Sequence, residues 1–168
     1  MFQINDYVFY ESGGICRVSD IQVAPLPNMP ADRQYYILQS IHESNGVSFV
    51  PVDSQQVFLR PLMSRAEAEE LLERMPYIAT IRENQSKLLR AKYIEAMRTY
   101  DPVEWVRVIK TVYLRANEKI SKTQRISETE RNFSDTAKRY LHAELALALE
   151  LPEKEMETYL TSYLSKTS

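Results

Sequence analysis

The hydrophobic period of the chain changes at Leu59-Arg60-Pro61-Leu62-Met63-Ser64-Arg65-Ala66-Glu67. Before this segment, apolar residues form short β-branched or aromatic runs between turn residues, which is typical of strands. After it, they recur with the period of an amphipathic helix. Ser64 and Glu67 have the spacing of a capping box, which satisfies the free amides of a helix start. The sequence therefore predicts an α+β fold, with a β unit over residues 1–62 and an all-α unit over residues 63–168.

The β unit is predicted to contain five short strands. The turns Ser12-Gly13-Gly14 and Ser44-Asn45-Gly46 are expected to use the positive φ angles of tight hairpins. Three prolines within residues 25–30 indicate a loop between the second and third strands. Five strands of this length favour a small SH3-like or Tudor-like barrel. The predicted strands are Val8–Tyr10, Ile15–Ile21, Tyr35–Ile41, Val47–Val50 and Val57–Leu59.

Five helices are predicted after the period changes. The first should stop before Pro76, and the second should span Asn84–Tyr100. The third opens at Asp101, an N-cap residue followed by proline. The fourth opens at a second capping box, Ser127-Glu128-Thr129-Glu130, and the fifth begins at Pro152. On the fifth helix the predicted buried residues are Met156, Tyr159, Leu160, Tyr163 and Leu164.

Charge is distributed unevenly along the chain. The formal net charge is −2, yet residues 82–125 hold eleven basic and five acidic residues. We call these eleven lysines and arginines the basic belt. Both flanking segments are acidic. Such asymmetry indicates a polyanionic partner at one place and a different partner elsewhere.

The helical registers select candidate phosphate contacts from the basic belt. Lys87, Arg90 and Arg98 lie opposite the apolar face of the second helix, and Arg107 and Lys110 point away from that of the third. A belt of this size predicts salt-sensitive contact with the DNA backbone or minor groove that does not read sequence. Two alternatives stay open: the belt is only the solvated side of these helices, or it faces an acidic protein. Two further candidates on the fourth helix are Arg131 and Lys138.

Enzymatic and metal-binding patterns find little support. His42 and His142 lie in different units, and neither accompanies a nucleophile motif. One cysteine and two histidines argue against a zinc site. We therefore expect no catalytic residue, metal or cofactor. The amino terminus lacks a signal-peptide pattern, and no apolar run approaches the roughly 20 residues of a membrane span. We expect a monomeric cytoplasmic protein without membrane contact.

Most aromatic residues are predicted to pack rather than to stack on bases. Trp105 shares its register with Val108 and Val112, so we expect a core residue instead of a wedge between base pairs. The tyrosines that fall on apolar stripes are likewise expected to pack, and they are Tyr35, Tyr36, Tyr93, Tyr113, Tyr140, Tyr159 and Tyr163.

The β unit offers a different kind of surface. A small barrel of short strands leaves an unclosed edge, and an edge accepts a strand from another protein. Residues 46–51 form such a run, and Pro51 ends its ladder. Phe49 alternates with Val47, and both an outward and a core position for its ring are open.

Three stretches together carry a resemblance to a known family. They are residues 5–18, the strand segments 35–38 and 49–61, and Leu141-His142-Ala143-Glu144-Leu145-Ala146-Leu147-Ala148. In this combination the chain resembles the CarD/CdnL family of bacterial transcription regulators. The resemblance implies a Tudor-like unit that binds the RNA polymerase β subunit by strand addition. It also implies a helical unit that touches upstream promoter DNA near the melted region and stabilises the open complex.

The resemblance also implies contact residues, with two departures from the family pattern. Ala24 and Phe49 lie near positions where basic side chains help some members to hold polymerase. Contact is therefore expected from backbone pairing and apolar packing, and the candidates are Ala24, Val47, Ser48, Phe49 and Val50. The stretch Asn84-Gln85-Ser86-Lys87 is similar to the family's Asn-Trp-Ser-Arg, with Gln85 in place of tryptophan. Gln85 is a candidate for hydrogen bonding in the groove, but it cannot unstack bases.

Overall fold

The computed structural model describes residues 1–167, with side chains as far as residue 162. It divides into two compact units. The first is Met1–Leu62, and the second begins at Met63. The predicted burial of Tyr163 and Leu164 lies outside the described side chains.

The first unit is a five-stranded antiparallel sheet with the strand order β4-β3-β2-β1-β5. Within the described residues β4 and β5 do not pair with each other, so the Tudor-like sheet is open and these two strands are its edges. The strands are β1 Tyr7–Tyr10, β2 Gly14–Val23, β3 Gln34–Ser40, β4 Val47–Pro51 and β5 Leu59–Pro61.

The fifth strand begins two residues later than predicted. Leu59, Arg60 and Pro61 pair with Tyr10, Phe9 and Val8. Residues 57–59 were predicted as a strand because Val57 and Phe58 have high β propensity. The strand instead forms at residues 59–61, because these are the residues that pair with β1. Proline is tolerated there because β5 is an edge strand, where a missing N–H breaks no ladder.

The two glycine turns differ in their physical basis. Gly14 has φ 66, as the positive-φ prediction requires. The same prediction for the second turn is wrong, because neither Asn45 nor Gly46 has a positive φ. Gly46 is needed for space instead: a Cβ there would lie 3.0 Å from the Cβ of Ser40 and 3.1 Å from that of Glu43.

One face of the sheet carries the core of the first unit. Val50 is buried in this core. Because strand side chains alternate between faces, Phe49 lies on the opposite face, where its ring is half-buried. The buried cluster comprises Val8, Cys16, Val18, Tyr36, Leu38 and Val50.

Over the described residues the second unit contains five helices, which confirms the α+β class. Two short 3-10 turns, Met75–Tyr77 and Glu153–Glu155, stand after the first helix and before the last. The second helix is four residues shorter than predicted. The helices are α1 Arg65–Arg74, α2 Ser86–Arg98, α3 Pro102–Ser121, α4 Glu128–Leu149 and α5 Met156–Thr167.

Three helix starts follow the predicted caps, with one bond missing at α4, whereas α5 begins at Met156 and not at the predicted Pro152, because residues 153–155 form a 3-10 turn. Ser64 and Glu67 form a complete capping box at α1, and Asp101 accepts from Val103 N at α3. At α4, the Ser127 hydroxyl accepts from Glu130 N at 3.1 Å. The second half of that predicted box is not made, because the Glu130 carboxylate is bound by α2 and α3 side chains.

The helical core forms around Trp105, which is fully buried as predicted. Tyr93 is fully buried too. The packing prediction is wrong for Tyr113 of α3 and for Tyr159 of α5, which are 65% and 36% exposed. Glu144 of α4 is also fully buried, and its carboxylate accepts from Met63 N at 2.8 Å, which fixes the chain just before α1.

Candidate functional site

Strand β4 presents backbone groups to an open edge. Ser40 N donates to Gly46 O at 2.8 Å, and Val52 N donates to Gln34 O at 3.0 Å. In an antiparallel pair the residues that exchange bonds alternate, so the backbone groups of Val47 and Phe49 point away from β3. The N–H of Val47 donates to Asn45 O at 3.1 Å. The N–H of Phe49 and the carbonyls of both residues are thus the groups that a partner strand would meet.

The predicted polymerase contacts do not form one surface. The side chain of Val47 is 46% exposed and that of Phe49 is half-buried, both on the same face. Val50 is 3% exposed in the core, so its side chain is not accessible to a partner. Ala24 follows β2 with φ 41, and β3 separates β2 from β4. Ala24 therefore lies away from the β4 edge.

Five members of the basic belt are bound by groups of the protein itself. Four of them form ion pairs, and Lys110 donates to backbone carbonyls. These internal pairs lower the positive charge that the belt offers to a partner. The ion pairs are Lys92–Glu83 at 3.1 Å, Arg107–Glu104 at 2.9 Å, Arg115–Glu130 at 2.8 Å and Lys122–Glu118 at 3.4 Å.

Lys110 holds the turn that follows α1. Its Nζ donates to Met75 O at 2.9 Å, Pro76 O at 3.3 Å and Ile78 O at 2.7 Å. Burial lowers the pKa of this ammonium group by desolvation. The predicted phosphate role of Lys110 stays a prediction with less support, because its three donors are used by the chain's own backbone.

Arg107 is also bound by groups of the protein itself. Its Nε donates to Ala79 O at 3.2 Å, and one terminal nitrogen contacts both carboxylate oxygens of Glu104, at 2.9 and 3.1 Å. An acidic partner would have to compete with Glu104 for this guanidinium. The predicted phosphate role of Arg107 therefore has less support than its helical register suggested.

A three-residue network joins α2, α3 and α4. Arg115 donates to Glu130 through Nε at 2.8 Å and through a terminal nitrogen at 3.0 Å, and the Tyr93 hydroxyl donates to Glu130 at 3.0 Å. Burial by itself would raise the pKa of Glu130, but these hydrogen bonds outweigh it and lower the pKa. No local sequence signal predicts this network, because Arg115 and Tyr93 lie 15 and 37 residues from Glu130.

Four cations of α2 are exposed, and one of them, Lys92, pairs with Glu83. Lys87, Arg90 and Arg98, which we call the α2 row, form no ion pair among the described residues. The first turn of α2 holds no acidic residue. The N-cap, Gln85, is exposed, and its side chain makes no capping bond. The helix N-terminus, with its partial positive charge, thus adds to Lys87 and Arg90.

The two candidates on α4 stand apart from the α2 row in sequence. Arg131 is exposed in the first turns of α4, and Lys138 is half-buried two turns later. Positions seven residues apart lie on the same side of a helix, so the two share one face of α4.

The described residues show neither a metal site nor a membrane-spanning helix. Within the part of the chain that the structure describes, no cluster of three or more His, Cys, Asp or Glu side chains has the arrangement of a metal site. None of the described helices combines the length and apolarity that crossing a membrane requires.

An open sheet edge on one unit and exposed cations on the other are features of a protein that contacts other macromolecules. Comparison with family models identifies the class. Residues 2–63 match the CarD-like/TRCF RID domain, and residues 79–161 match the CarD C-terminal domain. These are domains of RNA polymerase-interacting transcription factors, and the chain belongs to the CarD-like family. No curated protein matches the chain.

Proposed function

We propose that this protein bridges RNA polymerase and promoter DNA and so stabilises the open promoter complex. The sheet unit holds the polymerase β subunit, and the helical unit holds upstream DNA beside the melted region. Family membership supports the polymerase contact. The exposed α2 row is the observation that carries the DNA contact, because it places three exposed cations, none of them paired with a described carboxylate, on one helix.

The polymerase contact is strand addition to β4. The Phe49 N–H and the carbonyls of Val47 and Phe49 extend the ladder, and the exposed Val47 side chain adds apolar area. Ser48 and Val50 pair with β3 through their backbone, so they support the edge without contacting the added strand. Ala24 is not required for this contact.

The DNA contact lies along α2. Lys87, Arg90 and Arg98 neutralise phosphates, and Gln85 at the N-cap stands next to them. Such contacts position a protein on DNA without reading bases. Arg131 and Lys138 are secondary contacts on α4 in this proposal, and Arg107 and Lys110 have structural roles instead.

Fluorescence anisotropy with a labelled duplex tests the DNA contact. Arg90→Gln should weaken binding, because it removes an exposed cation of the row. Arg65→Gln is the matched control, since Arg65 is an exposed helical arginine that pairs with Glu69 and Glu150 at 3.5 Å. Equal affinity of both variants and the wild type would refute the role of the α2 row. An adaptor for an acidic protein, with no DNA contact, predicts no binding of duplex by any of them.

Co-purification with RNA polymerase tests the sheet edge. Phe49→Pro removes the outward N–H while leaving the bonds between β3 and β4, because proline is tolerated on an edge strand. Phe49→Leu retains the N–H and an apolar side chain. Loss of polymerase with Phe49→Pro and retention with Phe49→Leu would support strand addition. Full retention by both variants would contradict it.

A further inference from the structure

A depression of about 270 Å³ lies between the C-terminal end of α2 and the middle of α4. Its volume falls below the roughly 300–1,000 Å³ of a typical small-molecule site, so it suits a single flat ring system. No carboxylate is among the described residues that line it. The lining includes Ile94, Met97, Arg98, Tyr100, Phe133 and Tyr140.

Two aromatic side chains that line this depression pack on buried aromatic residues of the helical core. The Phe133 ring packs on buried Tyr93 with 5.3 Å between centroids, and the Tyr140 ring packs on buried Trp105 at 5.4 Å. Rings packed on such a core lose little further freedom when a ligand binds, which favours affinity.

The third aromatic residue, Tyr100, has a costly backbone conformation. It adopts φ 51 in the short link between α2 and α3, a region that large side chains rarely occupy. Glycine would occupy it without cost.

The depression lies at the end of the α2 row. Lys87, Arg90, Ile94 and Arg98 are spaced by three, four and four residues, so they follow one side of α2, and Ile94 and Arg98 line the depression. A second cation is close by, since the Arg139 guanidinium lies 5.8 Å from the centre of the Tyr140 ring. The cations of the α2 row therefore extend along the helix as far as a depression that is lined by aromatic residues.

We propose that this depression binds one unstacked base of single-stranded DNA, with the adjoining phosphates along the α2 row. Single-strand binding sites combine aromatic stacking surfaces with a cationic track in this way. A base inside a duplex cannot enter, because its faces are covered by its neighbours. The inference rests on the proposed DNA contact and adds to it a preference for strands that are already melted.

Binding of a fluorescein-labelled twelve-residue oligothymidylate to the full chain tests the inference. The critical variant is Tyr100→Gly, which removes one ring and relieves the positive φ, and circular dichroism verifies its fold. We expect it to weaken oligothymidylate binding by roughly 5- to 150-fold, the range for loss of one base–aromatic stack. Its affinity for duplex should equal that of the wild type, because the phosphate contacts of α2 are unchanged.

An oligonucleotide with abasic residues at every position is the second probe, since it retains the phosphates and lacks the bases. The wild type should bind it more weakly than oligothymidylate, and Tyr100→Gly should bind the two alike. Thymidine monophosphate should compete only at concentrations at least about 100-fold above those of oligothymidylate. It can occupy the depression, but it makes no phosphate contacts along the α2 row. Competition at equal concentration would assign the site to a free nucleotide and overturn the single-strand proposal.

The remaining outcomes separate this inference from the proposed function. If duplex binds and oligothymidylate binds no better than the abasic strand, the base site is wrong and the DNA contact stands. If Tyr100→Gly retains wild-type affinity for oligothymidylate, the site is wrong as well. If neither duplex nor single strand binds, both proposals fail.

Discussion

The salt dependence of DNA binding gives the sharpest test of the charges on α2. Each phosphate that a lysine or arginine neutralises contributes about 0.9 to the slope of log K against log salt on duplex DNA. The α2 row supplies three such residues, so replacing Lys87, Arg90 and Arg98 with glutamine should reduce the slope by about 2.7. The single variant Arg90→Gln should reduce it by about 0.9.

The same arithmetic sets the change in affinity. Between 50 and 200 mM salt, three contacts weaken binding by roughly 40-fold, and this part of the salt effect should vanish in the triple variant. Lys110→Met is an informative control, because it removes a positive charge whose donors are already bound to three carbonyls. Its slope should stay within about 0.3 of the wild-type slope.

Anisotropy titrations of one duplex at five salt concentrations measure these slopes. A triple variant whose slope equals that of the wild type would refute phosphate contact by the α2 row. A large loss of slope in Lys110→Met would refute the assignment of Lys110 to the turn after α1.

Three further predictions concern stability, measured by urea denaturation. Lys110→Met should lower the free energy of unfolding by about 1–3 kcal/mol, because the carbonyls of the Met75–Tyr77 turn lose their donor. Glu130→Gln should cost about 1–3 kcal/mol at pH 7, since Arg115 loses its charged partner. The pKa of Glu130 in the folded protein is lowered from 4.5, so its contribution to stability is present above pH 4.5 and is lost as pH falls through the folded pKa. A stability difference between the wild type and Glu130→Gln that stays constant down to about pH 2 would contradict this. Glu150→Gly should raise stability by about 0.5–1 kcal/mol, because Glu150 caps α4 at φ 57; a lower stability would contradict the strain.

Local signals in the sequence predicted most of the architecture. The capping box at Ser64 and the N-cap at Asp101 fix helix starts through contacts within three residues, so they are readable from short segments. The run of β-branched and aromatic residues predicted β4 to within one residue, since the strand includes Pro51, and it allowed either an outward or a core position for Phe49. It did not say which one, because that depends on the pairing with β3.

The partners of individual charged side chains could not be predicted from local sequence in the same way. A helical register says which side of α3 carries Lys110, but not that the turn after α1 lies against that side. The carbonyls that Lys110 binds are 32 to 35 residues earlier in the chain. Glu130 likewise had the spacing of a capping box, but its carboxylate instead accepts from the Tyr93 hydroxyl of α2 and the charged Arg115 guanidinium of α3.

The lifetime of the open promoter complex after a heparin challenge tests the bridge most directly. The wild type should lengthen it, and the triple glutamine variant of the α2 row and Phe49→Pro should each fail to do so. A mixture of these two variants should also fail, because a bridge needs both surfaces on one chain. Restoration of the full lifetime by the mixture, or by either variant alone, would contradict the account.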